Sequence, residues 1–482
     1  MIPFPALVLL FAAQASDLEL QLKKIAGVYA LIEREAADPV DPNRAFYEGA
    51  LPGMLRRLDP HSVFFTPGQF EQLRELEKST RKGFGSIVSV LPGRVIVLQA
   101  TPGTPSARSG IEAGDEILAI NGIRLDRLHM EQLVELLGES RQQQASLDVR
   151  RVGNARLLQF VLTPEDVEAP SVDRAFFLRP GVACVRIASF DADTGKQVRE
   201  TIDRMGGGGL RALVLDLRAN PGGLLPPALE TASLFLPPGT KLLSVRGRAV
   251  GGEEQKVPDN SKAYTFPLAV LLNGRSASGS EIVAGALQDH DRAVIIGEPS
   301  YGKGLVQSVY GLSSGTGLAL TTAYYYTPSG RSIQRPLSTG QLDPRSAQEA
   351  AGEYRTASGR PVRGGGGIQP DHLVYPESTT RLRAVLDGSG ALTSFATDYV
   401  RRHPAVAGEF DVPATLLDEL QVYLSERNIR PGVAEWLAEA GWIRRRLKQE
   451  IFNQALGVAR GDEVEAQADP QVLKALEVLG VR

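Results

Sequence analysis

Apolar residues recur at helical spacing at both ends of the chain and form shorter, strand-like runs in between. Near the start, Leu18, Leu22, Ile25 and Ile32 share one helical face, which predicts helices from residue 17 to about 80. From about residue 83 to 163, short apolar runs are separated by Gly, Pro, Asn or Asp, and one run, MEQLVELLGE, has a helical pattern. These patterns predict a helical region followed by a small, mostly β module.

Strand-like and helix-like segments alternate from about residue 170 to 378. Strands are predicted at VACVRIASF, ALVLDL, LAVLLN and AVIIGE, with helices between them. This alternation predicts a layered α/β core. A polar stretch from Pro336 to Gly367 predicts a mobile surface loop, and helical spacing returns beyond Thr379. The sequence therefore predicts an α+β multidomain chain.

Length and charge agree with a soluble multidomain protein. At roughly 150 residues per domain, 482 residues suggest about three domains. The 53 basic and 56 acidic residues are interspersed, which argues against nucleic acid as the main partner. No apolar run approaches the roughly 20 residues that span a bilayer, so no integral membrane span is expected.

The first fifteen residues, MIPFPALVLLFAAQA, have the form of a signal peptide. A small-x-small ending at Ala13 and Ala15 predicts cleavage before Ser16, and hence export to the periplasm or another extracytoplasmic compartment. The segment lacks a Lys or Arg, so the alternative is a buried apolar N-terminus.

The single cysteine, Cys184, has no partner for an intramolecular disulfide and is predicted to be a small buried residue.

Ser278 lies in the turn between the strand LAVLLN and the following helix. A hydroxyl at a helix start faces substrate, and the unpaired amides of the first turn can stabilise an oxyanion. Gly279 would be the first donor, because its missing side chain permits close approach of the substrate carbonyl. The alternative is that Ser276, Ser278 and Ser280 only cap the helix.

No histidine makes a convincing base for Ser278. His290 ends the helix that follows, which puts it about 15 Å away. Lys303, in Tyr301-Gly302-Lys303-Gly304, is better placed, but it must lose about three pKa units, roughly 4 kcal/mol, through burial in apolar surroundings. The alternative is a solvated surface lysine.

A phosphate-binding loop is a second way to interpret the lysine. Gly297 to Lys303 fits G-x-x-x-x-G-K, but Gly304 stands where a Ser or Thr should bind magnesium. A strand-like run also follows Lys303 where a helix should begin. Nucleotide binding is therefore disfavoured.

Seven ordered segments between about residues 25 and 376 resemble the C-terminal processing (tail-specific) peptidases, Ser/Lys enzymes that carry a PDZ domain. They are GALPGMLRRLDPHSVFFTP, the PDZ-like module, DLRANPGG, SASGSEIVAGALQD, GEPSYGKGLVQ, TTAYYYTPSGRSIQ and GGGGIQPD. The resemblance implies an α/β core of crotonase-like architecture with an inserted PDZ domain. It also implies that no metal or nucleotide is needed.

The same resemblance assigns roles to residues of this chain. Ser278 would be the nucleophile, Lys303 the general base and Gln307 the residue that orients the lysine. A second oxyanion donor would come from Gly222 or Gly223 in the NPGG turn. The usual cluster in the family is SASASE and this chain has SASGSE, so the backbone beside the nucleophile is looser.

The PDZ-like module would recognise protein or peptide C-terminal tails. Gly83, Phe84 and Gly85 resemble the loop whose amides hold a terminal carboxylate, and the tail would add as a strand at an open sheet edge. Met130 falls where the pocket for an apolar side chain is usually lined. For Phe84 and Met130 the alternative role is core packing.

A noncatalytic PDZ scaffold is the rival hypothesis from another functional class. Such a scaffold would have no reason to keep Ser278 together with Lys303.

The helical ends could mediate self-assembly into a homo-oligomer, and the need for an adaptor or lipoprotein regulator is left open. The predicted regions are a signal peptide (1–15), an N-terminal helical region (16–80), a PDZ domain (81–168), a peptidase core (169–378) and a C-terminal helical region (379–482).

Overall fold

The computed structural model describes residues 4–76, 80–249, 251–336 and 352–481, with the side chains of 4–16 and 75–76 excepted. The chain forms two compact units: among the described residues, the smaller contains 4–70 and 307–321, and the larger contains the others. The α-helices are α1 (Phe4–Glu35), α2 (Pro42–Arg44), α3 (Leu51–Leu55), α4 (Pro67–Leu76), α5 (Pro105–Arg108), α6 (Met130–Ser140), α7 (Thr194–Arg204), α8 (Leu225–Ser233), α9 (Gly279–Asp289), α10 (Arg381–Ser389), α11 (Ala391–Arg402), α12 (Ala414–Glu426), α13 (Val433–Ala455), α14 (Val458–Ala466) and α15 (Pro470–Val478).

The strands belong to several sheets that are described below. In chain order they are β1 (Val63–Phe65), β2 (Thr80–Gly83), β3 (Ser86–Leu91), β4 (Arg94–Ala100), β5 (Glu116–Ile120), β6 (Ile123–Arg124), β7 (Ala145–Arg150), β8 (Leu158–Leu162), β9 (Glu165–Glu168), β10 (Val172–Arg179), β11 (Val182–Ile187), β12 (Ala212–Asp216), β13 (Lys241–Arg246), β14 (Glu253–Lys256), β15 (Leu268–Leu272), β16 (Val294–Gly297), β17 (Leu305–Gly311), β18 (Gly317–Tyr326), β19 (Glu353–Arg355), β20 (Pro361–Arg363) and β21 (His372–Leu373).

The smaller unit is mostly helical, as the apolar spacing predicts, but it also contains β1. The carboxylate of Asp59 accepts from the amides of His61 and Ser62 at 2.7 and 2.8 Å, which closes the turn before this strand. Strand β1 pairs antiparallel with the start of β18, Val63 opposite Ala319. A three-residue strand with a partner so distant in sequence has no periodicity of its own. Among the described helices of the chain, none is long and apolar enough to cross a membrane.

A sheet of order β10-β11-β12-β15-β16-β21 forms the centre of the larger unit. Within this sheet, β11, β12, β15, β16 and β21 are parallel, and β10 is antiparallel to β11. Parallel strands are covered on both faces, which explains their continuous apolar runs. Helices α7, α8 and α9 contribute to the cluster on one face, and α15 packs on the other. Cys184 is buried there, as predicted, and burial raises the pKa of its thiol.

The predicted β module is a sheet of order β3-β4-β5-β7-β8, with α6 packed on it through buried Leu133. Strand β3 lies at the edge of this sheet and is therefore open to another strand on one side. Strands β2 and β9 pair with each other where the chain enters and leaves the module. The module is thus a compact insertion with its own apolar core.

The C-terminal helices share a core that includes Phe395, Ile443 and Leu447. They also contact the β module: the guanidinium of Arg94 donates to Ser394 Oγ at 3.0 Å, and the amide of Val458 donates to Gln99 Oε1 at 3.0 Å. These contacts attach the β module to the helical region within the larger unit.

The polar stretch predicted to be a mobile loop is partly outside the described residues, which omit 337–351. In the described part the prediction is wrong, because β19 and β20 form an antiparallel hairpin. The carboxylate of Asp291 accepts from the amide of Ser358 at 2.7 Å and from Arg360 Nε at 3.2 Å. These bonds fasten the hairpin to the chain just after α9, a long-range contact that composition does not reveal.

Candidate active site

Ser278 occupies the turn between β15 and α9, as predicted, and its backbone is strained. Its φ and ψ are 53° and −110°, outside the regions that L-residues ordinarily adopt. Such a conformation costs of order 1–3 kcal/mol and persists only where the surroundings hold it. The next residue, Gly279, begins α9, so its amide belongs to the first helical turn, whose N–H groups have no partner within the helix.

Lys303 lies between β16 and β17, and the buried carboxylate of Glu281 joins its backbone to that of Ser278. Glu281 Oε2 accepts from the amides of Ser278 and Lys303 at 2.8 and 2.9 Å. Because both nitrogens bond to one oxygen, they are less than about 6 Å apart. A strand follows Lys303, which is unlike the helix that follows the lysine of a phosphate-binding loop.

The other oxygen of Glu281 is also occupied. Oε1 accepts from Ser300 Oγ at 2.5 Å and from the amide of Gly302 at 2.6 Å. Burial raises the pKa of Glu281, while these hydrogen bonds act in the opposite direction by favouring the ionised form. Four donors therefore hold the lysine turn against the start of α9 through one side chain.

Tyr325 makes a second connection between the same two residues. Its hydroxyl donates to the carbonyl oxygen of Lys303 at 2.9 Å and lies 3.3 Å from that of Ser278. Tyr325 is buried, and burial followed by the charge of Glu281 raises its pKa, so the hydroxyl keeps its proton. The backbones of Ser278 and Lys303 thus share one acceptor and one hydroxyl.

The NPGG turn lies directly against Ser278. A Cβ on Gly222 would come within 2.7 Å of the Ser278 Cβ, so only glycine fits at this position. The amide of Gly222 donates to Asn220 Oδ1 at 2.8 Å. For Gly223, whose φ is 147°, no acceptor is found among the described residues. Among the described residues, the amides of Gly223 and Gly279 are therefore the ones beside Ser278 that have no acceptor.

His290 does not lie at this turn. His290 ends α9, as predicted, and its Nε2 lies 2.7 Å from the carbonyl oxygen of Lys241. That contact is at the far end of the helix from Ser278, twelve residues away along the chain. The arrangement around Ser278 therefore contains a hydroxyl on strained backbone, a neighbouring lysine turn and two amides without an acceptor among the described residues, which are components of acyl transfer.

Two known protein families match parts of this chain. The profile of Peptidase family S41 matches residues 181–343, and that of the PDZ domain matches 96–151. The carboxyl-terminal-processing protease of Synechocystis sp. is 32% identical over 61% of this chain and 70% of its own length. The chain belongs to this peptidase family.

Other relatives of this S41 peptidase cover different shares of their own lengths. Carboxyl-terminal-processing peptidase 2, chloroplastic, of Arabidopsis thaliana is 35% identical over 58% of this chain, which spans 56% of that relative. A solved photosystem II D1 C-terminal processing protease is 26% identical, with a TM-score of 0.41, over 73% of this chain and 86% of that one. The family and the multidomain α+β fold class predicted from the sequence are confirmed.

In the PDZ domain of this S41 peptidase, the predicted recognition residues lie on two segments. Gly83 ends β2, and Gly85, with φ of 77°, leads into β3. Phe84 is half-buried and packs against the domain core, so its side chain has a packing role. Met130 begins α6 and is 39% exposed, which leaves it accessible to a ligand.

Gln307 lies in the smaller unit, within β17. Its Nε2 donates to the carbonyl oxygen of His61 at 2.6 Å. The role predicted for Gln307, the orientation of Lys303, stays a prediction.

Sequence reasoning missed Glu281, Ser300 and Tyr325. For Glu281 a signal was present, because a Ser followed three residues later by Glu is the pattern of a helix capping box. Tyr325 carries no such signal. It reaches the site from β18, which pairs with β13, and its amide donates to the carbonyl oxygen of Gly304 at 3.0 Å.

Proposed function

We propose that this S41 peptidase is a serine endopeptidase in which Ser278 is the nucleophile and Lys303 the general base. The observation that carries the proposal is the shared support of the two residues: one carboxylate oxygen of Glu281 accepts from both amides, and the Tyr325 hydroxyl faces both carbonyls. A nucleophile and its base must stay within hydrogen-bond reach, and a common support provides that.

Acylation begins when neutral Lys303 takes the proton of Ser278 and Oγ attacks the scissile carbonyl carbon. The amides of Gly279 and Gly223 stabilise the oxyanion, since the Gly222 amide is bonded to Asn220. The tetrahedral intermediate then collapses as Lys303 returns the proton to the leaving amine. A water activated by Lys303 hydrolyses the acyl-enzyme, which restores the serine and releases the carboxylate.

Substrates of this enzyme are protein C-terminal tails captured by the PDZ domain. The tail adds as a strand to β3, whose free edge offers backbone donors and acceptors. Its carboxylate binds at Gly83 to Gly85, and an apolar side chain near its end contacts Met130. We keep for Gln307 the role that the family resemblance assigns to it, the orientation of the lysine.

The test compares cleavage of casein and of a peptide with an apolar C-terminus by wild type, Ser278→Ala and Lys303→Ala. Lys262→Ala, at an exposed site, is the matched control. We expect each site variant to lose at least about 10³-fold in kcat/KM and the control to retain full turnover. Equal turnover in all four proteins would refute the Ser/Lys assignment. Absence of turnover in every protein, with the peptide still bound, would favour the noncatalytic scaffold.

The pH profile of wild type adds an independent readout. A lysine accepts a proton only in its neutral form, so kcat/KM should fall as the pH is lowered and Lys303 becomes protonated. A profile that stays flat down to about pH 5 would contradict a lysine base.

Export of the enzyme is part of the same proposal, and the pattern of residues 1–15 supports it. Cleavage after Ala15 would make Ser16 the mature N-terminus. N-terminal sequencing of the protein made in a bacterial host that secretes proteins should find Ser16. An intact Met1 would contradict the signal peptide.

A further inference from the structure

The oxyanion turn, residues 217–223, is held against the nucleophile turn by hydrogen bonds to its carbonyl oxygens. Ser276 Oγ donates to the carbonyl oxygen of Leu217 at 2.8 Å, and the amide of Ala277 donates to that of Asn220 at 3.0 Å. Ser280 Oγ donates to the same Asn220 oxygen at 3.0 Å. The position of the oxyanion turn therefore sets where the Gly223 amide lies relative to Ser278.

This turn contains strain that its own residues do not relieve. Ala219 has φ of 56°, a left-handed conformation that costs an alanine roughly 1–2 kcal/mol. Its amide donates to Asn273 Oδ1 at 2.9 Å. A strained backbone keeps its shape only where the surrounding structure holds it. The side chain of Arg218, the residue before Ala219, provides a second such support.

Arg218 is held by two carboxylates, one at the end of β12 and one at the start of α15. Its Nε and Nη2 donate to Asp216 at 2.9 and 2.7 Å, and its Nη1 donates to Asp469 Oδ2 at 2.5 Å. The side chains of Arg218 and Asp469 are 23% and 19% exposed. A partly buried pair in which one guanidinium meets two carboxylates is more rigid than a surface ion pair.

Asp469 belongs to the C-terminal helical region, where it caps α15. Its Oδ1 accepts from the amides of Gln471 and Val472 at 2.8 and 3.2 Å, which leaves Oδ2 for Arg218. Helix α15 is anchored by buried Val472 and Leu476 against the central sheet. The carboxylate that meets Arg218 is therefore carried by a rigid element.

We infer that Asp469 is a positioning residue for the oxyanion turn and acts through Arg218. The last helix of the chain thereby sets the placement of the Gly223 amide, a role in catalysis for the C-terminal region. The inference rests on the proposed peptidase function. It assigns Asp469 no contact with substrate.

The test uses the full-length enzyme with Asp469→Ser. Serine keeps the helix cap but does not reach Arg218. Glu477→Ser, at an exposed position of the same helix, is the matched control. We expect Asp469→Ser to lower kcat by about 10- to 100-fold with KM within about twofold, because an oxyanion donor acts in the transition state. Its affinity for a peptide aldehyde inhibitor should fall in parallel with kcat/KM.

A double-mutant cycle with Arg218→Met separates positioning from general stability. If Asp469 acts through Arg218, the double variant loses no more kcat than Arg218→Met alone. Circular dichroism and thermal melts establish that each variant is folded at the assay temperature.

Each outcome bears on a different claim. A folded Asp469→Ser enzyme with the kcat of wild type would overturn the inference and leave the peptidase function standing. An Asp469→Ser enzyme whose melting temperature falls while its kcat stays that of wild type would also overturn the inference. If wild type cleaves nothing, the proposed function fails and the inference fails with it.

Discussion

At the scale of single residues, the carboxylate of Glu281 has the greatest influence on the site. A buried charge is tolerated only when its hydrogen-bonding capacity is satisfied, and here four donors surround the two oxygens. The donors belong to the turns that carry Ser278 and Lys303. One buried side chain thus stabilises two separate loops.

The substitution Glu281→Gln should destabilise the fold and lower activity. Glutamine has an NH₂ group in place of one carboxylate oxygen, and an NH₂ group cannot accept the hydrogen bonds of the two donors that face that oxygen. These buried donors would stay unpaired, at a cost of about 1–3 kcal/mol. We expect a matching loss in free energy of unfolding by urea, and a fall in kcat/KM of at least about tenfold as the two turns separate.

Glu298→Gln, at a partly exposed glutamate just after β16, is the control and should change neither quantity. Wild-type stability in Glu281→Gln would show that the four hydrogen bonds contribute little.

At the scale of elements, a glycine turn joins α10 to α11 and contacts the PDZ domain. Gly390 has φ of 63° and ends α10 in the left-handed conformation. A Cβ at this position would overlap the side chain of Leu91 at the end of β3. The turn therefore combines a backbone requirement with a packing requirement.

Gly390→Ala should lower the free energy of unfolding by about 2–4 kcal/mol, since left-handed strain and overpacking both contribute. Gly388→Ala is the matched control, because a Cβ there meets open space inside α10. Better helix propensity should leave that variant unchanged or more stable by up to about 1 kcal/mol. Equal urea midpoints for the two variants would contradict this account of the turn.

At the scale of the whole molecule, the C-terminal helices are attached to the core partly through ionised groups. Asp462 on α14 lies 3.1 Å from the guanidinium of Arg174 on β10. Burial raises the pKa of Asp462 to about 6, although Arg174 acts to lower it. The ionised form is therefore less favourable in the folded protein than in the unfolded chain.

This raised pKa predicts a dependence of stability on pH. The folded state holds the Asp462 proton over a range where the unfolded chain has lost it, so this group's contribution is present in acid and lost as the pH rises through about 6. Relative to Asp462→Asn, wild type should lose free energy of unfolding between about pH 4 and pH 6. Urea titrations at several pH values measure the free energy of unfolding of both proteins. If its dependence on pH is the same for wild type and Asp462→Asn, the raised pKa is refuted.

The outcome at particular residues shows what sequence patterns can reveal. Four strands of the central sheet, β11, β12, β15 and β16, were predictable because parallel strands covered on both faces are continuously apolar. Ser278 and Lys303 stood out because each lies in a turn beside a buried strand, and family resemblance joined them. Strand β1 and the hairpin of β19 and β20 were missed, since their partners are distant in sequence or polar in composition.

Local patterns and ordered motifs by themselves determined the α+β fold class, the peptidase family and the two turns of the candidate site. Only the tertiary structure placed Glu281 and Tyr325 between those turns and brought Asp469 to Arg218. The physical reason is the range of the interactions. Periodicity and turn chemistry act over a few neighbouring residues, whereas a hydrogen bond between residues 218 and 469 exists only after the sheet and its covering helix have packed.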